Sequence, residues 1–562
     1  VTRESLTKSW LPGVDVARTY QRSWLRTDIT AGIALTALLI PAGMGYAQAA
    51  GLPPETGLYA TIVPLLVYAL VGPSKILVLG PDSSLAPIIG AAVLPLAAGD
   101  PERAVALAGL LAILMGAILV LGGILRLGFV TDLLSKPIRL GYLNGIALVV
   151  VVSQIPKLLG FSVDGVNLID EMRATVSAIA GGEIDPSAAA IGIGGIAVIV
   201  AFKLFHSRIP GVLVAVFGAI AVAYFLGLDD DIPMVGALPQ GLPAPALGGL
   251  QWSDVAELIG PAAGIALVAF ADTGVLSRTF AARRGESVDG SQEMRAIGTA
   301  NVASGLLGGF PMSASSSRTP VAEQNGAKTQ LTGVVGALLI VVFILVAPGL
   351  TGYLPEAALA AVVIVAATSL VDIRSIVDMW SMSRVETVLA IAAFLGVALV
   401  GVLEGIVVAI ALSFVAVVVH AWRPYRTELV AVPGIDGYHD IKRNPTGHRI
   451  PGLVIIRFDA QLFFANGAIF DDYARRVVAR SPEPVRWVII ASEPMTGVDT
   501  TAMDELVELD QYLSGNGIEL VFAEMKDPVK DKLQRLGLGE RFGSDHFYPT
   551  LETAVEAFEN RG

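Results

Sequence analysis

The sequence predicts an α-helical polytopic membrane protein that carries a small α/β domain at its C-terminal end. Three observations predict this. Apolar residues make up 54% of the 562 residues and charged residues only 16%, against roughly 25% charged in soluble domains; mean hydropathy is +0.67. The apolar residues come in long runs such as ITAGIALTALLI (29–40) and LTGVVGALLIVVFILVA (331–347), and about 20 helical residues cross a bilayer core. Near residue 422 the runs stop and a mixed, charged, globular pattern begins.

Fourteen hydrophobic elements precede that change, at 28–50, 57–73, 83–98, 103–125, 130–158, 186–205, 209–227, 256–281, 293–308, 316–326, 329–348, 354–371, 385–401 and 403–422. No small-residue cleavage site follows the first, which reads as a span rather than a removable signal peptide. The positive-inside rule supports the count. Arg3, Lys8, Arg18, Arg22 and Arg26 place the N-terminal segment, 1–27, in the cytoplasm. The ends of the even-numbered spans then carry Lys75, Arg126, Lys203, Arg283, Lys328, Arg374 and Arg423. The opposite side receives acidic loops, VDGVNLIDEMRATVSAIAGGEIDP (163–186) and LDDDIP (228–233). An odd count breaks this alternation. Fourteen puts both termini in the cytoplasm and makes 28–422 one multi-pass membrane domain.

Several chemistries drop out. The chain has no cysteine, so disulfides and thiolate metal sites are excluded. Five scattered histidines without an HExxH pattern argue against zinc. There is no P-loop, and no cofactor is expected. The formal net charge of −12 says little about a site at the membrane midplane, where local donors decide.

Two short elements break the pattern. The third opens LGPDSSLAPIIGAAV (79–93) and the tenth GFPMSASSSRTPVAE (309–323). Aligned on their prolines, Ser83-Ser84-Leu85-Ala86-Pro87 matches Ser316-Ser317-Arg318-Thr319-Pro320. The two elements stand seven apart, an odd number, so the copies run oppositely through the membrane. That is an inverted repeat of seven plus seven. Proline fits a first helical turn, and serine before it is a good N-cap. Both helices are therefore expected to start inside the membrane, near Ser84 and Ser317, each after an extended stretch. A half-helix N-terminus offers free N–H groups and roughly half a positive charge, and two facing each other form an anion site. The structural alternative is two Pro-kinked helices whose serines bond their own backbones.

At this point the residues resemble a known family. IPAGMGYAQAAGLPPETGLYATIVPLLVYALVGPSKILVLGP (40–81) resembles the signature of the sulfate permease (SulP) family. GTANVASGLLGGFPMSASSSRTPVAEQNGAKTQLTG (298–333) resembles its ninth and tenth spans, and the tail from about 450 a STAS domain. The resemblance implies a core domain (spans 1–4 and 8–11) moving against a gate domain (spans 5–7 and 12–14). It also implies a homodimer and transport of small oxyanions or carboxylates such as sulfate, bicarbonate or dicarboxylates. Carried over, the anion-holding backbone N–H groups are those of Ser83, Ser84 and Leu85, and of Ser316, Ser317, Arg318 and Thr319. Arg318 also supplies positive potential. In span 1 Tyr46 keeps the family's aromatic, whereas Ala42 stands where the family often has glutamine.

An arginine at the centre of a span costs about 2.5–3.5 kcal/mol on insertion scales, so Arg318 should face a cavity, an anion or an acid. As a structural pair its partner is Glu323 or Asp272. Asp272, in VAFADTGVLSRTF (268–280), is the other intramembrane charge. Buried alone it binds a proton; beside oxygen ligands such as Thr273 it holds a cation. The family uses an acid here for symport, and an aspartate with a threonine one turn later suggests sodium. Leu276 occupies that turn in this chain, so proton and sodium both stay open as the coupling ion. Tyr59 and Asn301 read as packing and helix-contact residues.

The stretch 423–450, rich in Pro, Gly and basic residues, reads as a linker. From 451 to 562 the pattern is strand–turn–strand, helix, strand, helix, strand and two helices, an α/β sheet domain. The turn Asp499-Thr500-Thr501-Ala502 reads as a helix N-cap, with phosphorylation of its threonines as the regulatory alternative. The function expected is secondary active, cation-coupled transport of a small inorganic anion by an elevator-like movement. The rivals are an uncoupled uniporter or exchanger, a dicarboxylate transporter, and a membrane-anchored STAS scaffold. Expected partners are the anion, the lipid bilayer, a second copy of the chain and a cytoplasmic protein met through the STAS domain, with no nucleic acid.

Overall fold

The computed structural model describes residues 10–128, 135–163, 168–205, 210–239, 241–315 and 318–561. It forms two compact units, Val1–Ser413 and Phe414–Gly562.

The first unit is helical. After α1 (Pro12–Arg18) come α2 (Leu25–Ala49) and α3 (Pro54–Val71), then a two-residue strand β1 (Leu79–Gly80) and a short helix α4 (Ala86–Ala97). Next are α5 (Pro101–Ile124), α6 (Lys136–Leu158), α7 (Leu168–Gly181), α8 (Pro186–Leu204) and α9 (Gly211–Leu226). The second half opens with α10 (Trp252–Arg283) and α11 (Gly290–Leu306), followed by strand β2 (Ser313–Ala314) and helix α12 (Arg318–Gln324). It closes with α13 (Leu331–Val346), α14 (Glu356–Thr368), α15 (Ile373–Met382), α16 (Arg384–Leu395) and α17 (Val402–Trp422). A helix stands at each of the fourteen expected stretches. Among the described residues, seven helical segments are long and apolar enough to cross a membrane.

Besides α1, two helices were not expected. α7 lies in the loop read as 163–186, and its third-or-fourth-residue spacing of Leu168, Met172, Thr175 and Ile179 makes it amphipathic. α15 fills the polar connector after 371 and exposes Ile373, Val377 and Trp380. Both are too short and too charged to register as spans, but they carry helical periodicity.

Close helix packing holds α5 against α11. α5 lies along α11 where small residues meet: a Cβ on Gly298 would stand 2.6 Å from the Gly116 carbonyl oxygen. Small residues let membrane helices approach closely, which replaces the hydrophobic drive that lipid cannot supply.

The second unit begins within α17 and carries a six-stranded sheet ordered β4-β3-β5-β6-β7-β8. The strands are β3 (Arg426–Val432), β4 (Ile435–Asp440), β5 (Leu453–Phe458), β6 (Trp487–Ala491), β7 (Glu519–Ala523) and β8 (Phe547–Tyr548). β3 pairs antiparallel with β4 and β5, and β5 to β8 run parallel. The stretch 423–450 is therefore no linker. Its ELVAV run builds β3, and Pro433-Gly434, with Gly434 at φ +80°, turns the chain into β4. The expected second strand after β5 is also absent: Leu462 forms one isolated bridge to Val498. Along β5 the side chains alternate: Val454, Ile456 and Phe458 pack with α18 (Gly467–Ala479) and α19 (Thr500–Gly515), while Leu453 and Ile455 pack with α21 (Leu551–Asn560). That is the pattern of a sheet covered on both faces. α20 (Asp527–Leu533) completes the unit. At the start of α19 the Asp499 carboxylate accepts from Ala502 N–H and Phe464 N–H, both at 2.8 Å, so this turn is an N-cap.

Candidate functional site

Irregular backbone inside a membrane survives only where its N–H and C=O groups find partners. The extended stretches before α4 and α12 find them in each other. β1 pairs antiparallel with β2, Leu79 opposite Ala314 and Gly80 opposite Ser313, and Ser315 N–H donates to the Val78 carbonyl at 3.0 Å. Side chains close the rest. Val78 N–H donates to Thr319 Oγ1 at 3.1 Å, and Ala314 N–H to Thr273 Oγ1 at 3.1 Å. Asn301 grips the Met312 backbone twice, accepting from its N–H at 2.9 Å and donating to its carbonyl at 3.1 Å. Ser304 Oγ donates to the Phe310 carbonyl at 3.1 Å. The helix-contact reading of Asn301 fits this geometry.

The start of α4 differs from expectation. Helical residues begin at Ala86 with no side-chain cap, and the turn before them is held by Asp82, not by Ser84. Its Oδ1 accepts from Ser84 N–H at 3.0 Å and Ser84 Oγ at 2.8 Å. Its carbonyl accepts from Leu85 N–H at 3.2 Å and Ala86 N–H at 3.1 Å. The N–H groups of Ser84 and Leu85, expected to face an anion, are thus engaged by Asp82. Ser83 meets the Tyr46 hydroxyl through its side chain. At the second crossing Ser315 Oγ accepts from Arg318 N–H at 3.3 Å and its carbonyl from Thr319 N–H at 3.2 Å. Among the described residues α12 runs Arg318–Gln324. Ser316 and Ser317 lie outside the described residues.

Arg318 is 2% exposed. Its Nη2 donates to the Pro81 carbonyl, while Nε and Nη1 have no hydrogen-bond partner among the described residues. The guanidinium stands 6.0 Å from the centre of the Tyr46 ring. Gly80 makes room for it: its φ is +152°, and a Cβ there would lie 3.1 Å from Arg318 Nη1. Neither expected acid pairs with the arginine. Glu323 points to Arg283 at 3.3 Å instead, and Asp272 forms no ion pair among the described residues. Arg283 is the last residue of α10, so the Glu323 carboxylate reaches back to that helix rather than to Arg318. Among the described residues Tyr142 Oη and Ser313 Oγ are also buried without partners.

Asp272 is half-buried and faces the charges of Asp82 and Arg139. The hydroxyls near it in sequence are engaged elsewhere: Thr273 holds Ala314 N–H, and Ser277 donates to Glu293 at 2.5 Å. Glu293 is fully buried and also accepts from the Tyr68 hydroxyl. Sequence reasoning took it only as a span boundary. Asp82 and Glu293 are the charged residues it missed; Asp82 carried a signal, since aspartate two residues before a serine commonly caps its N–H.

Chemically, the arrangement brings a buried cation, with two donors unpartnered among the described residues, next to a helix start whose preceding turn is held by a carboxylate. The comparisons agree with an anion-handling protein. Residues 25–393 match the model of the sulfate permease family, and residues 444–554 that of the STAS domain. A probable sulfate transporter of Mycobacterium tuberculosis, MT1781, is 40% identical over 98% of both chains. High affinity sulfate transporter 2 of Stylosanthes hamata is 28% identical over 97% of this chain and 86% of its own. Among solved structures, murine Solute Carrier 26 family member A9, an anion transporter in the inward-facing state, superposes with a TM-score of 0.91 at 21% identity, covering 100% of this chain and 96% of that one. The transmembrane domain of a cyanobacterial bicarbonate transporter, BicA, gives 0.60 at 22% identity, covering 70% of this chain and 98% of that one. These two show a shared fold. The chain is a multi-pass membrane anion transporter with a STAS domain, not an enzyme, and it belongs to the sulfate permease family.

Proposed function

We propose that the protein carries a small inorganic anion, sulfate or bicarbonate, together with a cation, by an elevator-like movement of a core domain against a gate, as a homodimer. The observation that carries the reading is Arg318: a buried guanidinium with two donors that have no partner among the described residues. An unpaired buried charge is expensive, and an anion offsets that expense. The names of the relatives favour sulfate.

Asp272 is the coupling residue in this reading. Its lack of bonded partners among the described residues and the engagement of Thr273 by Ala314 favour a proton over sodium, with Leu276 where a sodium-binding threonine is expected. Uptake of radiolabelled sulfate into proteoliposomes tests the reading. Accumulation above equilibrium under an inward proton gradient, with competition by one of bicarbonate, chloride or a dicarboxylate, supports symport and ranks the anions. Equilibration without accumulation under both proton and sodium gradients rejects coupling in favour of a uniporter or exchanger.

A further inference from the structure

We infer that the Tyr142 hydroxyl of α6 donates a hydrogen bond to the substrate anion, so that the gate supplies a ligand opposite those of the core. The inference rests on the anion-site reading above and adds to it a residue from the other moving part.

The packing of α6 decides where Tyr142 points. Gly141 and Gly145 press α6 onto α16 and the residues just after it. A Cβ on Gly141 would stand 2.1 Å from the Ala390 carbonyl oxygen, and one on Gly145 would stand 2.8 Å from Val397 Cβ. Such close contacts set the rotation of the helix. Tyr142 follows Gly141, about 100° further round, and its ring enters the apolar cluster that holds Leu85, Ala86 and Ile89 at the start of the first half-helix and Phe270 of α10. That cluster adjoins both Asp82 and Asp272 in the chain.

The ring is 1% exposed, and its hydroxyl is buried without a hydrogen-bond partner among the described residues. Buried polar groups are nearly always bonded, and phenylalanine would fill the same slot without burying a hydroxyl. The charges that face the hydroxyl are those of Asp272, Arg139 and Asp82. Asp82 also faces Arg318. Three buried donors, Tyr142 Oη with Nε and Nη1 of Arg318, therefore neighbour the Asp82 turn and have no acceptor among the described residues. Asp82 Oδ1 is already taken by the Ser84 N–H and hydroxyl. An oxyanion carries several acceptor oxygens that point apart. One side of it suits the planar fork of Arg318, and another side is left for Tyr142. The anion then bridges core and gate, and movement of one against the other breaks the Tyr142 bond while the Arg318 bonds travel with the core.

The test is equilibrium binding of radiolabelled sulfate to the purified full-length protein, with melting curves taken with and without sulfate. Tyr142→Phe should weaken sulfate binding by about tenfold to a hundredfold, the range for one hydrogen bond to a charged group. Without sulfate it should melt at or above the wild-type temperature, because the hydroxyl it loses is bonded to nothing in the protein. In proteoliposomes it should keep the wild-type response to a proton gradient, since Asp272 is untouched. The inference is overturned if Tyr142→Phe binds sulfate within about threefold of wild type, or if the sulfate-free variant melts lower or fails to fold, which makes the hydroxyl a structural bond. It is also overturned if the gradient response is lost, which assigns the hydroxyl to Asp272. Failure of the anion-site reading looks different: wild-type protein then binds no sulfate, or Arg318→Ala binds it as wild type does.

Discussion

Replacing Arg318 with alanine removes a positive charge that is 2% exposed. One of its nitrogens, Nη2, is engaged by the Pro81 carbonyl; Nε and Nη1 remain for an anion. A hydrogen bond to a charged group contributes roughly 1.5–3 kcal/mol. Two of them give about 3–6 kcal/mol, or roughly two to four powers of ten in affinity. Arg318→Lys keeps the charge but not the planar fork, so its loss should fall between wild type and alanine. The assay is equilibrium sulfate binding to purified protein, paired with thermal melting. Wild type at about a hundred times its dissociation constant should gain about 2.7 kcal/mol of stability from the anion, and Arg318→Ala should gain almost nothing at that concentration. A folded Arg318→Ala protein that binds sulfate within about threefold of wild type would refute the reasoning, because less than 1 kcal/mol would then be traceable to the guanidinium.

Other expectations follow from the same geometry. Asp272→Asn should transport sulfate down its own gradient in proteoliposomes but lose its response to an imposed proton gradient; a wild-type response rejects the coupling role. Asn301→Leu leaves the Met312 N–H and carbonyl without their partners, which should cost about 2–4 kcal/mol and show as a lowered melting temperature. Gly298→Leu drives a side chain into the Gly116 carbonyl, whereas Gly194, with nothing within 4 Å of its Cβ position, should tolerate the same change; monodisperse elution on size exclusion distinguishes them. Asp499→Ala removes the cap of α19 and should destabilise the C-terminal unit by about 1 kcal/mol, read as faster limited proteolysis of that unit.

The long spans were legible because their apolar runs exceed a bilayer crossing, and the half-helices because proline and serine mark helix starts. What the sequence hid is tertiary. Thr273 looked like an ion ligand for Asp272, yet its hydroxyl is taken by Ala314, 41 residues away in the chain. Arg318 looked in need of an acid, yet its partner is a main-chain carbonyl 237 residues distant. The serines of the Ser-x-x-Pro repeat drew attention from Asp82, although Asp82 holds the turn that leads into the first half-helix. β3 and β4 were lost in a region whose prolines, glycines and basic residues mimic a linker, because a hairpin and a linker share that composition. α15 was lost because a ten-residue amphipathic helix has too few apolar residues to stand out beside the spans.

The two-residue ladder between β1 and β2 has a consequence for how the chain is made. Val78, Leu79 and Gly80 leave the ribosome and enter the bilayer long before their partners at 313–315 and 319 exist. Until then the amides of the first crossing have no strand to meet, and unsatisfied backbone groups in hydrocarbon are costly. The first half of the transporter must therefore wait, shielded by water, lipid headgroups or the insertion machinery, for the second half to supply its ladder. Arg318 arrives in that same late stretch and bonds Pro81. The anion seat is thus assembled near the end of membrane insertion, and a chain truncated before residue 313 has no means of closing it.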